Sequence, residues 1–451
     1  MSAIAGVAVP GAEKIVSQML ERMAHRGSEN AVVKVVDGVT LGISWPAGQP
    51  NAERVLAAEG AVEDFVNDSH YARAQATNGT IEMTRDPLGI SPLYYGYHKA
   101  YGLCFASEVK GLPSEVEEVK ELPPGSRLKD GKVQTEFTLQ LTEPVEGHRL
   151  SIAAELRKRL EKSIEKRAKR GVAFGSWLSG GLDSSIMAAM SRPYIDTLHT
   201  FAAGFPGAPD LEFAQIVARH IGSKHHEVIP TFKEIINLIP DVIYHLESFD
   251  ALLIRSTLMN YLVAKYASDY VPAVFSGEGG DELFAGYEYL KDLSLDDLPG
   301  ELIDITGRLH NTALQRVDRC SAAHGTVAYL GFLDQDVVDY AHRIPAEYKI
   351  YNGMEKWILR RAVFDLLPES ISLRKKAKFW EGAGVEDQIA NYVADKVTDD
   401  DFRNQRRLPN GEELNTKEEL YYYRIFVERF GVMKNLEWMG RTKGSPKAEL
   451  N

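Results

Sequence analysis

Apolar and polar positions alternate in short runs over the first third of the chain. Ile4 to Val9, Ala31 to Val36, Thr80 to Met83 and Leu103 to Ser107 read as strands separated by Gly turns, with one helix near Glu13–Ala24. That pattern predicts an antiparallel β unit from Met1 to about Thr142. Leu141 to His148 is polar, contains a proline and reads as a linker. Beyond it the period changes. Ser151 is a candidate cap for a helix with Ile152, Leu156, Leu160 and Ile164 on one face. The opposite face is basic (Arg157, Lys158, Arg159, Lys162, Lys166, Arg167) and is expected to be solvated.

From Val172 onward, apolar strand-like runs alternate with helical ones. Val172 to Leu178, Leu198 to Gly204, His226 to Ile229 and Val271 to Phe275 are the strands. Helices are expected from Ile186, over Leu211 to Ile221, Phe232–Leu246 and Thr257–Ala267. Such alternation predicts a parallel sheet covered by helices, with ligands at the carboxyl ends of its strands. The expected class is therefore α+β followed by α/β. Its divisions are residues 1–142, a linker 143–150, a second domain 151–440 and a tail 441–451, disordered from Thr442.

Length and charge narrow the choice. A chain of 451 residues can hold two or three cores, and 52 basic against 64 acidic residues give −12, which argues against nucleic acid as main partner. Two cysteines, Cys104 and Cys320, make neither a disulfide framework nor a zinc site and fit a reducing compartment. No apolar run reaches membrane-spanning length and the first residues do not read as a signal peptide, so a soluble cytoplasmic protein is expected.

Two stretches carry chemistry. The first is Ser179-Gly180-Gly181-Leu182-Asp183-Ser184-Ser185, between a strand and a helix. Glycines there let backbone N–H groups at a helix start approach an anion. No lysine follows them, so this is not a Walker A loop. Over Ser179–Gly181 alone, a ligand-free connection would look the same. The second is Ser276-Gly277-Glu278-Gly279-Gly280-Asp281-Glu282, with three carboxylates on a Gly-rich turn. Like charges that close repel unless a cation sits among them. The adjacent His225 and His226 fall on a strand and face opposite ways, which favours core and loop roles over metal.

The heptapeptide resembles the pyrophosphate loop of the ATP pyrophosphatases. The second stretch, continued through Leu283-Phe284-Ala285-Gly286-Tyr287, resembles the other signature of the asparagine synthetase and β-lactam synthetase family, closest to its B-type asparagine synthetases. Further segments agree: Ala5-Gly6-Val7, Met23 to Gly27, Arg85 to Gly96, Phe105 to Lys110 and Pro123-Pro124-Gly125 in the first domain. In the second, Phe201 to Asp210, Arg316 to Arg319, Phe332-Leu333-Asp334, Glu355-Lys356 with Ile358 to Arg360, and Arg374-Lys375-Lys376 with Phe379 match. The resemblance implies an N-terminal-nucleophile (Ntn) type antiparallel β-sandwich, then an adenine nucleotide α-hydrolase-like domain.

It also implies roles. Leu178, Ser179, Gly180, Gly181, Asp183, Ser184, Ser185, Ala203, Ser276 and Gly277 would lie along ATP, Asp183 and Asp281 would hold Mg2+, and Glu278 and Lys376 would be catalytic. In β-lactam synthetases the position of Glu278 is a tyrosine paired with a distant glutamate, whose place here is taken by Val327; ring closure is not expected. The glutaminase of the family needs a cysteine after the initiator methionine, and here stands Ser2, a far weaker nucleophile. Its arginine loop is replaced by Leu41 to Pro46, its oxyanion Asn-Gly by Glu59-Gly60, and Asp86 alone survives. An inactive glutaminase that packs on the second domain, with a homodimer contact, is the expectation. Val327 and Tyr329 stand where the family has a glutamate and an arginine near the acceptor site, which suggests a larger or less polar acid.

The expected reaction is activation of a carboxylic acid as acyl-AMP with ATP and Mg2+, then amide formation with ammonia or a substrate amine. The rivals are an ammonia-dependent asparagine synthetase proper, a tRNA-modifying enzyme of the same fold, and a non-catalytic scaffold.

Overall fold

The computed structural model describes residues 1–46, 56, 60–67, 69–169, 173–374 and 386–442. The N-terminal part is built from two antiparallel sheets. One has the order Asn30–Val36, Val39–Trp45, Ala3–Val7, Gly102–Ala106, Tyr94–His98, Glu117–Glu121. The other runs Lys132–Thr135, Ser126–Lys129, Thr80–Arg85, His70–Thr77, Ala61–Asn67. Alternation decides which side chain goes where. Ile4, Leu41, Ile43 and Phe105 face Val62, Ala72, Ala74 and Met83 across the sandwich. Ala3, Ala5 and Val7 point the other way, onto Val16, Met19 and Leu20 of the helix Glu13–Glu21, and that core continues into the rest of the molecule.

The C-terminal part is a five-stranded parallel sheet, ordered Lys224–Val228, His199–Ala203, Phe174–Trp177, Ala273–Ser276, Val327–Leu330. From the central strand Phe174–Trp177 the chain first builds outward on one side, then returns to build on the other. The strand order thus reverses between Phe174–Trp177 and Ala273–Ser276. In open parallel sheets the crevice at such a reversal, beyond the carboxyl ends, is where ligands sit. Both Gly-rich loops leave from these two tips.

Several boundaries differ from the sequence expectation, each for a local reason. The helix Arg149–Ala168 is capped by His148, whose ring accepts from Leu150 N–H at 3.3 Å, so Ser151 lies inside it. Its basic face is not wholly solvated: Arg167 is fully buried and pairs with Asp334 at 3.0 Å. The helix Ala251–Ser268 starts earlier than Thr257, because Asp250 caps it by accepting from Leu253 N–H at 2.8 Å. Leu41 to Trp45, read as a loop, belongs to a strand. Arg441 and Thr442 are docked rather than part of a disordered tail: Arg441 pairs with Glu419 at 3.0 Å and the Thr442 hydroxyl donates to Asp250 at 2.8 Å. Among the described residues no helix is long and apolar enough to cross a membrane.

Candidate active site

Leu178 N–H donates to the Phe201 carbonyl at 2.8 Å, and the chain then turns into the helix Leu182–Ser191, with Gly181 as its cap residue. The turn is held by Ser184, whose hydroxyl donates to the Gly181 carbonyl at 3.1 Å and accepts from Ser179 N–H at 3.2 Å. The second loop lies directly on the first. A Cβ at Gly277 would stand 2.7 Å from the Ser184 nitrogen, and one at Gly280 would stand 2.6 Å from the Asp183 carboxyl carbon. Only glycine permits that approach. The two loops therefore form one surface.

On that surface every one of the four carboxylates has a partner, and two of them share one. Asp183 Oδ2 and Asp281 Oδ1 both lie 2.5 Å from the Lys356 ammonium. Glu278 accepts from Arg316 at 2.6 Å. Glu282 accepts from the Tyr287 hydroxyl. Burial alone would lower the Lys356 pKa, but Asp183 and then Asp281 outweigh it and hold the ammonium above its ordinary range. Arg316 follows the same pattern: burial opposes its charge, and Glu278 restores it. Burial and then Glu282 push the Tyr287 phenol well up.

Asp183 and Asp281 also fit a magnesium ion. Two hard carboxylate oxygens converge on one point, marked by the Lys356 ammonium. Mg2+ takes one or two carboxylates and completes its shell with phosphate and water. Among the described residues no cluster of three or more metal-ligating side chains occurs, which that pattern does not require.

Loops and helices together enclose a cavity of about 740 Å³, within the range of small-molecule sites. Leu178, Ser179, Gly181, Asp183, Ser184 and Ala203 line it from one side, and Ser276, Gly277, Glu278 and Asp281 from the other. Gly180 is turned against Phe213 and Ala214, and Ser185 is fully buried; neither lines the cavity. Lys376 lies outside the described residues. Lys356 and Arg316 join the site only through the fold: Lys356 is 173 positions from Asp183, so no local pattern points to it.

Two expectations fail, one on strand direction and one on packing. Val327 pairs with Ala273 at the far end of the strand from Glu278, and Tyr329 packs between sheet residues, 5.4 Å from the Phe174 ring. Neither lines the cavity, so neither speaks to the acid or to ring closure. Ser2 is buried, and its N–H donates to Asp64 at 2.9 Å. Asp64, 62 positions away and marked by no local pattern, is thus the carboxylate beside Ser2, while Glu59 lies outside the described residues. Asp86 accepts from Leu88 and Ile90 N–H at 3.0 Å and from Ser91 N–H at 2.9 Å, so both its oxygens close the turn that follows it. Arg374, also unassigned, pairs with Asp210 at 2.6 Å on the cavity wall.

A parallel sheet with two interlocked Gly-rich loops at its switch point, one opening a helix and the other carrying an acidic turn, is the architecture of an α/β protein with its ligand crevice at the strand tips. The asparagine synthase family model matches residues 155–304 and 296–432, and a glutamine amidotransferase domain model matches 57–114. Asparagine synthetase B [glutamine-hydrolyzing] of Escherichia coli is 37% identical over 77% of this chain and 67% of its own length. A Lotus japonicus asparagine synthetase is also 37% identical, and the chain spans 63% of its length; one from Sandersonia aurantiaca is 34% identical, with 75% spanned. The chain belongs to the asparagine synthetase family of ATP-dependent ligases, with the ATP pyrophosphatase fold behind an amidotransferase-like sandwich.

Proposed function

We propose that the chain is an AMP-forming amide ligase that works with ammonia or a substrate amine and has no working glutaminase. The observation that carries this is the meeting of Asp183 and Asp281 at one ammonium, over a loop built to hold a diphosphate. A carboxylate does not react with an amine in water because its leaving group would be oxide. Its attack on the α-phosphorus of ATP replaces that group with AMP. The amides from Gly181 to Ser184 hold the departing pyrophosphate, and Lys356 offsets its charge. Mg2+ held by Asp183 and Asp281 would supply further positive charge to the phosphates. Glu278 then takes the proton of the incoming amine, oriented for that task by Arg316.

Ser2 offers a hydroxyl where the family has a thiol, and its N–H is taken up by Asp64, which supports an idle glutaminase. The rival on tRNA calls for a reactive cysteine near the loop. Both cysteines are buried, and burial pushes the Cys104 thiol up to about 12. The scaffold rival leaves the paired Asp183, Asp281 and Lys356 without a purpose. Aspartate is the first acid to test, since the relatives are named for asparagine. The assay is AMP and pyrophosphate release from ATP and Mg2+ with ammonium and a panel of acids, repeated with glutamine in place of ammonium. Acid-dependent AMP with ammonium and little with glutamine is expected. No AMP with any acid, or equal turnover with glutamine, would refute the corresponding half.

A further inference from the structure

One wall of the cavity is a single stretch of chain with two faces. It consists of the end of the helix Leu298–Gly307, the tight turn Leu309–Asn311 and the helix Ala313–Ala322. Ile305, Leu309, Thr312, Ala313 and Arg316 look into the cavity, at the three- and four-residue spacing that keeps side chains on one side of helical backbone. The outward side of the same stretch touches the N-terminal sandwich at two places, one near the middle of the wall and one just past its end.

Near its middle, His310 Nδ1 lies 3.0 Å from Glu121 Oε1, and Arg85 donates to the same oxygen at 2.6 Å. Just beyond Arg316, Asp318 accepts from both terminal nitrogens of Arg26, at 2.8 and 3.1 Å. The next residue, Arg319, reaches Glu108 of the sandwich at 3.2 Å and Glu247 at 3.1 Å. Glu247 in turn accepts from the backbone N–H of Val109 at 3.1 Å. Arg26 is wholly buried, as is Glu108. Bidentate arginine–carboxylate contacts fix geometry as well as energy, and losing one partner of a buried pair leaves the other uncompensated. These contacts are therefore stiff.

The inner face ends on Arg316, which holds Glu278 at 2.6 Å. Displacement of the helix Ala313–Ala322 is passed to Glu278 through that one contact. The diphosphate loop, by contrast, hangs from the central strand of the parallel sheet.

We propose that the N-terminal sandwich serves as a template for the acid and amine side of the cavity, with Arg26 and Glu121 as positioning residues that act through Asp318 and His310. Its kinetic consequence rests on the amide-ligase reading, and its geometric content does not. The idle amidotransferase-like unit is kept for the wall it shapes.

Asp318→Asn removes the charge that Arg26 grips at nearly constant volume, and Glu121→Gln weakens the hold on His310 more mildly. Three measurements on the full chain decide the matter. Hydrogen–deuterium exchange over residues 305–316 without ligand should quicken about fivefold or more. Affinity for α,β-methylene ATP with Mg2+ should stay within about twofold, while KM for the probe acid aspartate or for ammonium rises about tenfold, or kcat falls by as much. Exchange over 305–316 equal to wild type, or nucleotide affinity falling as far as the acid-dependent step, overturns the proposal. If wild-type protein forms no AMP with any acid, the amide-ligase reading fails, and the exchange and nucleotide measurements still decide the template. Should Asp318→Asn not fold, Glu121→Gln decides alone.

Discussion

The Lys356 side chain reaches its two aspartates from a backbone in the left-handed region, with φ 55°, at the residue that caps the short helix Trp357–Ala362. A non-glycine residue is kept there only where its surroundings over-determine it, and here the two ion pairs do so. With the ammonium removed, Asp183 and Asp281 would face each other across the point it now fills. Lys356→Met should therefore destabilise the ligand-free protein by about 1–3 kcal/mol, less than a fully buried pair would cost because the aspartates are partly solvated. A divalent cation would take over the vacated role. Millimolar Mg2+ should raise the melting temperature of the variant by several degrees more than that of wild type. Equal Mg2+ shifts in the two proteins would mean that the paired carboxylates are not a cation site. AMP formation should stay low even with Mg2+, since the ion cannot also offset the pyrophosphate charge that Lys356 meets.

At the scale of elements, the site exists because two strand-to-helix turns touch. Gly280 is where contact is tightest, and an added methyl would displace the Asp183 carboxyl carbon from 2.6 Å. Gly280 begins a helical turn, so alanine suits its backbone. Gly280→Ala should thus fold, at a cost of about 1–3 kcal/mol for crowding Asp183, and lose about 10²-fold or more in kcat, as small misplacements of reacting groups do. A variant within twofold of wild-type kcat would show that the loops need not touch. This contrast also explains what was legible beforehand. Ser179 to Asp183 and Ser276 to Asp281 are contiguous, and their glycines announce turns, so the two turns and the parallel sheet behind them could be read from the chain. Lys356 and Arg316 join them only through tertiary packing. Asp64 reaches Ser2 across the gap between two sheets. Val327 sits at the strand end away from the loops and Tyr329 packs on Phe174, and neither the end nor the packing is written in a four-residue apolar run.

At the scale of the whole molecule, the sandwich and the parallel-sheet part are joined by buried carboxylates that their cationic partners keep charged. Burial alone would raise the Glu108 pKa, but His25, Lys110 and Arg319 outweigh it and hold it well below its ordinary value. For Glu121 burial is likewise overcome, by His310 and Arg85, and its carboxyl is held down to about 2. A carboxylate whose folded pKa is depressed binds fewer protons folded than unfolded, so its contribution to stability is complete above the unfolded value near 4.5 and is lost as pH falls toward the folded one. Unfolding free energy from urea titrations should accordingly change little between pH 7 and pH 5 on account of these groups, and fall steeply between about pH 4.5 and pH 2. Glu108→Gln removes one of them. At pH 7 the variant should be less stable by about 3–5 kcal/mol, because Arg319 and Lys110 lose a buried counter-charge. It should also lose less further stability on acidification than wild type does, so the two curves converge toward pH 2–3. Parallel curves would show that the acid sensitivity resides in groups other than Glu108.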